Sequence, residues 1–318
     1  MRNIKDYVEK QLPLSIKETN YNIGKKYEGK VRDVYDLGNK LLIITSDRIS
    51  AFDKVLGLIP FKGEILTNLS NFWFENTTDI IKNHIIKQIH PNAILVKKCE
   101  IIPIEVIIRG YLTGGGWREY SKTGKVSGIT LPQELKKDCK LDKPLFTPST
   151  KAKEGHDEPI SKSEIIKQNI MSEIQVNQIE DLALKLFARG TEIAKKNNLI
   201  LVDTKYEFGL LPDSSIILAD EIHTSDSSRY WYLDTYENLF VQGQEQKMLD
   251  KEYLRQWLLN NNYSGEGTVP TIPLDIITGI TEKYLKAFET ITGKSYELSV
   301  KDSKISLDKA VASLKNEL

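Results

Sequence analysis

Cysteine and histidine are scarce in this chain. Of its 318 residues only Cys99 and Cys139 are cysteines, and they form no metal-type pair. Two isolated thiols are what a reducing cytosol tolerates, so the fold does not rest on disulfides. The four histidines, His84, His90, His156 and His223, are scattered and none sits at metal-ligand spacing, which argues against zinc. Nor is there an excess of either charge, since 44 basic residues balance 44 acidic ones. Proteins built for nucleic acid carry a clear basic surplus, so no nucleic-acid partner is expected, though a local basic pocket for a phosphate is still allowed. The longest apolar runs are strand-sized, and residues 1–10 mix both charges without an apolar signal core. A cytoplasmic protein that does not engage a membrane is therefore expected. No internal repeat, phosphate-loop pattern, dinucleotide fingerprint or Ser-His or Cys-His pair is visible.

What is present is an ordinary globular composition, 40% hydrophobic and 28% charged. Single cores rarely grow past about 250 residues, so two lobes are expected. Residues 27–36 and 40–46, separated by Leu37-Gly38-Asn39, read as an antiparallel hairpin. Ile65, Leu66, Leu69, Phe72 and Trp73 have helical spacing within 64–75. Residues 93–98 and 104–109 are β-branched and apolar, and the lobe boundary is placed between them, giving lobes 1–102 and 103–318. Residues 142–160 hold three prolines and many charges, and read as a long functional loop, a candidate lid. Ser161 and Glu164 then form a capping-box signature. Two helices follow, the second over 181–196, then strands 199–211 and 215–222, then helices over 244–259, 273–291 and 306–316. The fold class is α+β, with an antiparallel N-terminal lobe and a mixed C-terminal lobe with helices.

Four stretches could carry chemistry. In LILVDTKYEFGLLPDSSIILADE (199–221), strand alternation puts Asp203, Lys205 and Glu207 on one face. A four-residue loop, Pro212 to Ser215, would pair Leu211 with Ile216 and set Glu207 opposite Asp220. Facing carboxylates need a compensating cation, and hard oxygen ligands suit magnesium; the alternative is a solvated charged face. In YEGKVRDVYDLG (27–38), Gly29 allows a tight bend before Lys30, which reads either as a phosphate clamp or as a plain hairpin. In RGYLTGGGWREY (109–120), Arg109 and three glycines could grip an anion, or form a flexible turn. Asp226 and Arg229 in DSSRYW make a fourth cluster, by default a surface ion pair.

Taken together and in order, EGKVRDVY, SDRISAFD (46–53), KGEILT (62–67), RGYLTG, TPSTKAKEGHDEPIS (147–161), LVDTKYEFG and ADEIHTSDSSRYW (219–231) resemble the blocks of the phosphoribosylaminoimidazole-succinocarboxamide (SAICAR) synthetase family of purine biosynthesis. The resemblance runs from about Tyr27 to Trp231. It implies a two-lobed ATP-grasp/kinase-like architecture with ATP held between the lobes. The implied reaction joins carboxyaminoimidazole ribonucleotide (CAIR) to L-aspartate, with ATP split to ADP and phosphate and Mg2+ as cofactor. By the same resemblance Lys30 contacts ATP phosphates, and the connector Lys97 to Glu100, including Cys99, bonds adenine through backbone. Glu207 and Asp220 hold magnesium, and Asp53 lies near a further magnesium. Arg109, Gly115, Asp203, Lys205 and Arg229 surround the ribonucleotide. Lys30, Lys205, Glu207 and Asp220 are the expected catalytic residues.

Phosphoryl transfer between anions needs neutralisation and alignment more than a covalent nucleophile, in keeping with the missing Ser-His or Cys-His pair. At Gly115 the family pattern has a serine whose hydroxyl helps hold the ribonucleotide phosphate, and this chain offers only a backbone N–H. A small-molecule kinase and a non-catalytic nucleotide-binding module are the rival readings, and a monomer or small homo-oligomer is expected.

Overall fold

The computed structural model describes residues 3–52, 54–151, 157–249 and 252–317. Among them the chain forms helices α1–α9 and strands β1–β16, and its contacts divide into two units. The first comprises Met1–Phe72, His84–Lys98 and Asp250–Leu318. The second comprises Trp73–Asn83 and Cys99–Leu249. The chain's last helices thus cluster with its N-terminal segment, whereas the sequence-based division assigned everything after residue 102 to the other lobe.

In the first unit, β1 (Lys25–Glu28), β2 (Arg32–Asp36), β3 (Lys40–Thr45), β7 (Ala93–Lys97) and β6 (Ile85–His90) pair in that order, every neighbour antiparallel. The stretch 27–36, read as one strand, is broken by a bend at Gly29–Val31, where the Gly29 N–H donates to the Arg32 carbonyl at 2.8 Å. A second hairpin joins β4 (Arg48–Ala51) to β5 (Lys54–Leu58). The helices here are α1 (Ile4–Gln11), the start of α2 (Lys62–Glu75), α7 (Glu252–Asn260), α8 (Leu274–Thr292) and α9 (Ser303–Lys315). Asp302 caps α9 by accepting from the Ile305 N–H, and Leu307, Val311 and Leu314 share one helical stripe. That stripe packs on Tyr35, Leu42, Ile44 and Leu95 of the sheet. Helix α8 starts after Pro273 and stops at Gly293 in the left-handed conformation, as the sequence implies.

The second unit holds a seven-stranded sheet with the path β12 (Lys140–Phe146), β9 (Ile104–Tyr111), β14 (Leu199–Leu210), β15 (Ile216–Ala219). β13 (Ser149–Thr150) also pairs with β9, and β8 (Glu100–Ile101) and β16 (Ser228–Tyr232) pair with β14. A small hairpin joins β10 (Lys125–Val126) to β11 (Ile129–Thr130), and the helices are α3 (Gly114–Thr123), α4 (Lys162–Lys167), α5 (Glu173–Lys196) and α6 (Leu233–Val241). Strand β14 lies at the centre, and ten of its twelve residues are buried. Val176, Ile179, Ala183, Leu186, Phe187, Gly190 and Ala194 form the buried stripe of α5. No helix among the described residues is long and apolar enough to cross a membrane.

Three expectations are corrected here. Residues 142–146 are not loop but the end of β12, with Leu145 opposite Arg109, and 149–150 pair as β13; residues 152–156 of the expected lid lie outside the described residues. Charge and proline hid these strands because they lie at the margin of the sheet, where a strand needs partners on only one side. The helix expected over 244–259 is shorter, as α7 starts at Glu252, while α6 was not anticipated and α5 starts eight residues before 181. The helix starts follow local capping: Ser172 and Gln175 make a second capping box.

Candidate active site

Strand β14 organises the site. Asp203 lies directly across the ladder from Arg109 on β9 and from Arg229 on β16, so one carboxylate is flanked by two guanidiniums. Arg109 Nη1 donates to Asp203 Oδ2 at 2.9 Å and Arg229 Nε to Oδ1 at 2.8 Å, with Arg229 Nη2 also on Oδ2. Asp203 is buried, which rules out a solvated charged face for this strand. Two guanidiniums thus stand against this one carboxylate, and the Arg109 Nε is buried with no hydrogen-bond partner. Burial lowers the Arg109 pKa, Asp203 resists that shift and Arg229 adds to it. A buried donor left unpaired is costly unless a ligand meets it, and an anion would.

The three glycines complete that anion grip. They are the first turn of α3 rather than a flexible turn, with Thr113 as an extended N-cap whose side chain makes no capping bond. The first N–H groups of a helix have no partners within it, and its N-terminus favours negative charge. A Cβ on Gly114 would fall 1.9 Å from Arg229 Nη1, and one on Gly116 would fall 3.1 Å from Arg109 Cδ. Glycine therefore lets both arginines close against the helix start. A Cβ on Gly115 would meet only Arg109 Nη2 and Arg118 Nη2, each at 3.7 Å.

Two residues along β14, Lys205 donates to Glu105 Oε1 at 2.7 Å. Burial works against its charge, but Glu105, Glu207 and Asp220 outweigh it and raise its pKa. Glu207, two residues further, is buried, and burial followed by repulsion from Asp220 pushes its pKa up, with Lys151 opposing. The Lys151 ammonium rests on Glu207 Oε2. The expected pairing of Glu207 with Asp220 is off by one residue: Glu207 opposes Ala219, and Leu210 opposes Ile216. The loop is five residues, Leu211 to Ser215, closed by Leu211 N–H to the Ser215 carbonyl at 3.0 Å, with Ser214 at φ 65°. β15 ends at Ala219, and Asp220 follows with φ 62°, a backbone reversal that keeps its charge in reach of Glu207 despite the shifted register.

The segment from Asp220 to Ser228 is anchored from below. His223 is fully buried, its Nε2 is 2.5 Å from the Tyr206 hydroxyl, and its carbonyl accepts from the Tyr230 hydroxyl at 2.7 Å. Burial drives the His223 pKa down to about 3, so the ring is neutral. Gly190 on α5 makes room for it, since a Cβ there would lie 2.4 Å from His223 Cε1. Ser228 Oγ donates to Thr204 Oγ1 at 2.7 Å, tying the end of the segment back to β14.

Of the expected site residues, Arg109, Gly115, Asp203 and Arg229 form one cluster, and Lys205 and Glu207 of β14 with Asp220, just past β15, form a second. Cys99 belongs beside the latter: its Sγ lies 2.4 Å from where a Gly209 Cβ would be, and burial followed by the Glu207 charge raises its pKa. Lys30 lies in the first unit at the exposed bend before β2. Arg48 holds that bend, its guanidinium donating to the Lys30 carbonyl at 2.9 Å and the Gly29 carbonyl at 3.0 Å. Lys97 ends β7 in the same unit, its N–H donating to the His84 carbonyl at 2.7 Å. Asp53 lies outside the described residues. Sequence reasoning missed Glu105, Arg118, Lys151 and His223. Glu105 carried a signal, because it shares a strand face with Arg109; Lys151 and His223 sit in irregular segments and carried none.

Comparison with known proteins places this geometry. Residues 25–272 match the family described as SAICAR synthetase. The chain is 44% identical over 292 residues to the phosphoribosylaminoimidazole-succinocarboxamide synthase of Legionella pneumophila (strain Paris), covering 90% of this chain and 93% of that one. It is 46% identical over 291 residues to the synthase of the same name from Cytophaga hutchinsonii, covering 89% and 93%. Among solved structures it is similar to the SAICAR synthase from Saccharomyces cerevisiae complexed with SAICAR, with TM-score 0.80, 36% identity, and coverage of 89% of this chain and 100% of that one. A SAICAR synthetase in complex with ADP matches with TM-score 0.64 and 27% identity, covering 86% and 100%. The chain belongs to the SAICAR synthetase family.

Proposed function

We propose that the side chains of β9, β14 and β16, with the start of α3, carry the family's reaction in this protein. That reaction is the ATP-dependent joining of CAIR to L-aspartate, giving SAICAR, ADP and phosphate. The observation that carries the reading is that an anion grip and a carboxylate pair are built around Asp203 and Glu207, two residues on the same face of one strand. From Asp203 to Glu207 is four residues, about 13 Å of strand. A ribonucleotide laid along it would have its phosphate at Arg109, Arg229 and the α3 start, and its reacting carboxylate toward Lys205 and Glu207. The yeast relative bound to SAICAR and the relative bound to ADP support the same ligand set.

A carboxylate resists attack by an amine, so activation is needed. Transfer of the ATP γ-phosphoryl group to a CAIR carboxylate oxygen would release ADP and form an acyl phosphate. The aspartate amine then attacks the acyl carbon, loses a proton, and expels phosphate as the amide forms. Arg109 and Arg229 hold the distal phosphate and fix the carboxylate's position, and Lys205 offers positive charge where negative charge is transferred. Lys30, and backbone groups of the connector from Lys97 past Cys99, are assigned to ATP on the family resemblance alone, as are a two-lobed ATP-grasp/kinase-like arrangement and a role for Asp53 beside a second metal ion.

The carboxylate pair fits magnesium. Glu207 is buried and repelled by Asp220, a like-charge pair that a divalent cation relieves, and both donors are hard oxygens. No group of three or more His, Cys, Asp or Glu suited to a metal occurs among the described residues. Two protein carboxylates with phosphate and water oxygens is the set magnesium prefers, since it dehydrates reluctantly. When bound there the ion would neutralise phosphate charge. The functional test is a coupled ADP assay with ATP, CAIR and aspartate, omitting each in turn. ADP formed only with all three supports the reading, whereas full-rate ADP release without aspartate would favour a kinase.

A further inference from the structure

We propose that Lys151 is a tethered cation that occupies the Glu207–Asp220 pair until a metal ion arrives, and so competes with metal for Glu207. This inference rests on the reading that the pair binds a divalent cation, and deepens it by assigning a residue that controls occupancy.

The backbone of Lys151 is anchored, and its side chain is partly exposed to solvent. Its N–H donates to the Pro103 carbonyl at 3.2 Å, directly after β13, whose Ser149 and Thr150 pair with Glu105 and Ile104 of β9. From that anchor the four-carbon stem reaches Glu207 Oε2, with Lys151 39% exposed and Glu207 9% exposed. The charge balance singles out this lysine. Lys205, the nearer cation in sequence, is already bonded to Glu105 at 2.7 Å. With Lys205 engaged by Glu105, Lys151 is the lysine whose ammonium contacts Glu207 and opposes the repulsion from Asp220. A divalent ion taking oxygens from both carboxylates needs the face of Glu207 that the ammonium covers, and two cations cannot share one carboxylate oxygen without repulsion. Lysine suits an exchangeable role, being a compact charge on a flexible stem, whereas arginine would hold the carboxylate through a fork.

Binding of metal then releases Lys151 from Glu207 at the moment the site gains positive charge. The bare protein binds metal weakly, and the side chain facing solvent is free to turn to an incoming phosphate. Such an exchange couples metal to nucleotide without a moving domain, because each ligand removes a cost to the other.

The test is Mn2+ binding to nucleotide-free protein at pH 8, read from the free-Mn2+ electron paramagnetic resonance signal, for wild type, Lys151→Met, Lys151→Arg, Glu207→Gln and the Lys151→Met/Glu207→Gln double variant. Removing one competing charge from a partly buried carboxylate should tighten Mn2+ binding by about tenfold in Lys151→Met. Lys151→Arg should stay as weak as wild type or bind more weakly still, and the double variant should lose the gain. Equal affinity in wild type and Lys151→Met, with binding still weakened by Glu207→Gln, overturns the role of Lys151 and leaves the metal reading standing. Affinity unchanged by Glu207→Gln in both backgrounds removes the metal reading itself, and this proposal with it.

Discussion

The three glycines at the start of α3 lead to three different expectations from three adjacent positions. Gly115 has ordinary backbone angles, and a Cβ placed on it would stay 3.7 Å from Arg109 Nη2 and Arg118 Nη2, normal contact distance. Gly115→Ser is therefore accommodated, and its hydroxyl would stand beside two guanidiniums and the N–H groups of the helix start. One added hydrogen bond to a phosphate oxygen is worth about 1.5–3 kcal/mol, or roughly ten- to a hundredfold in affinity. We expect the KM for CAIR to fall within that range while kcat changes little, because a contact to the distal phosphate is made equally in ground and transition states. Gly114→Ala is the opposite case. Its Cβ would fall 1.9 Å from Arg229 Nη1 on a backbone at φ 52°, so Arg229 must leave Asp203 and the KM for CAIR should rise sharply. Gly116→Ala, 3.1 Å from Arg109 Cδ, should lie between, with Arg109 displaced by a few tenths of an ångström. Steady-state kinetics with CAIR varied at saturating ATP and aspartate give all three values. A rise in KM for Gly115→Ser, or a Gly114→Ala enzyme with unchanged KM, would show that the phosphate does not bind at this helix start.

Other perturbations test the remaining parts of the site. Glu207→Gln and Asp220→Asn should each lower kcat by about a hundredfold or more, the scale of losing one preorganised electrostatic contact; activity within threefold of wild type would refute a metal role. Lys30→Met should raise the KM for ATP and lower kcat without changing the melting temperature, since the side chain is exposed and the bend is held by Arg48 through backbone carbonyls. His223 is neutral in the fold with a pKa near 3, well below the ordinary 6.5. Its depressed pKa contributes stability that is present above pH 6.5 and lost as pH falls toward 3, because the unfolded chain takes up a proton that the buried ring refuses. Chemical denaturation from pH 7 to 4 should show stability falling, and His223→Gln should shallow that slope by about one proton; an identical slope in the variant would place the titration elsewhere.

The parts of the molecule that could be read from sequence share a physical reason. Strand alternation put Asp203, Lys205 and Glu207 on one face, and β14 keeps that face because a central strand buried along its length cannot slip without burying the wrong side chains. Capping was legible too: Ser161 with Glu164, Pro273 and Gly293 mark helix ends through contacts within a few residues. Where partners are distant in sequence, local reading failed. The register of β14 with β15 depended on whether Leu211 joins the loop, a choice made by the Asp213 side chain accepting from the Ser215 N–H at 3.0 Å and by the left-handed Ser214. Residues 142–146 looked unstructured because two charges and a proline say nothing about the free edge of β9 that they cover. The glycine run looked like a loop because glycine is a poor helix former, yet two arginines from other strands crowd that helix start so closely that no side chain fits at Gly114. The chemistry thus selects against local propensity at the point where an anion must be reached, a conflict expected at a site built to bind rather than to fold well. The same logic applies to Asp220, whose left-handed backbone is unfavourable for an aspartate and serves to bring its charge within reach of Glu207.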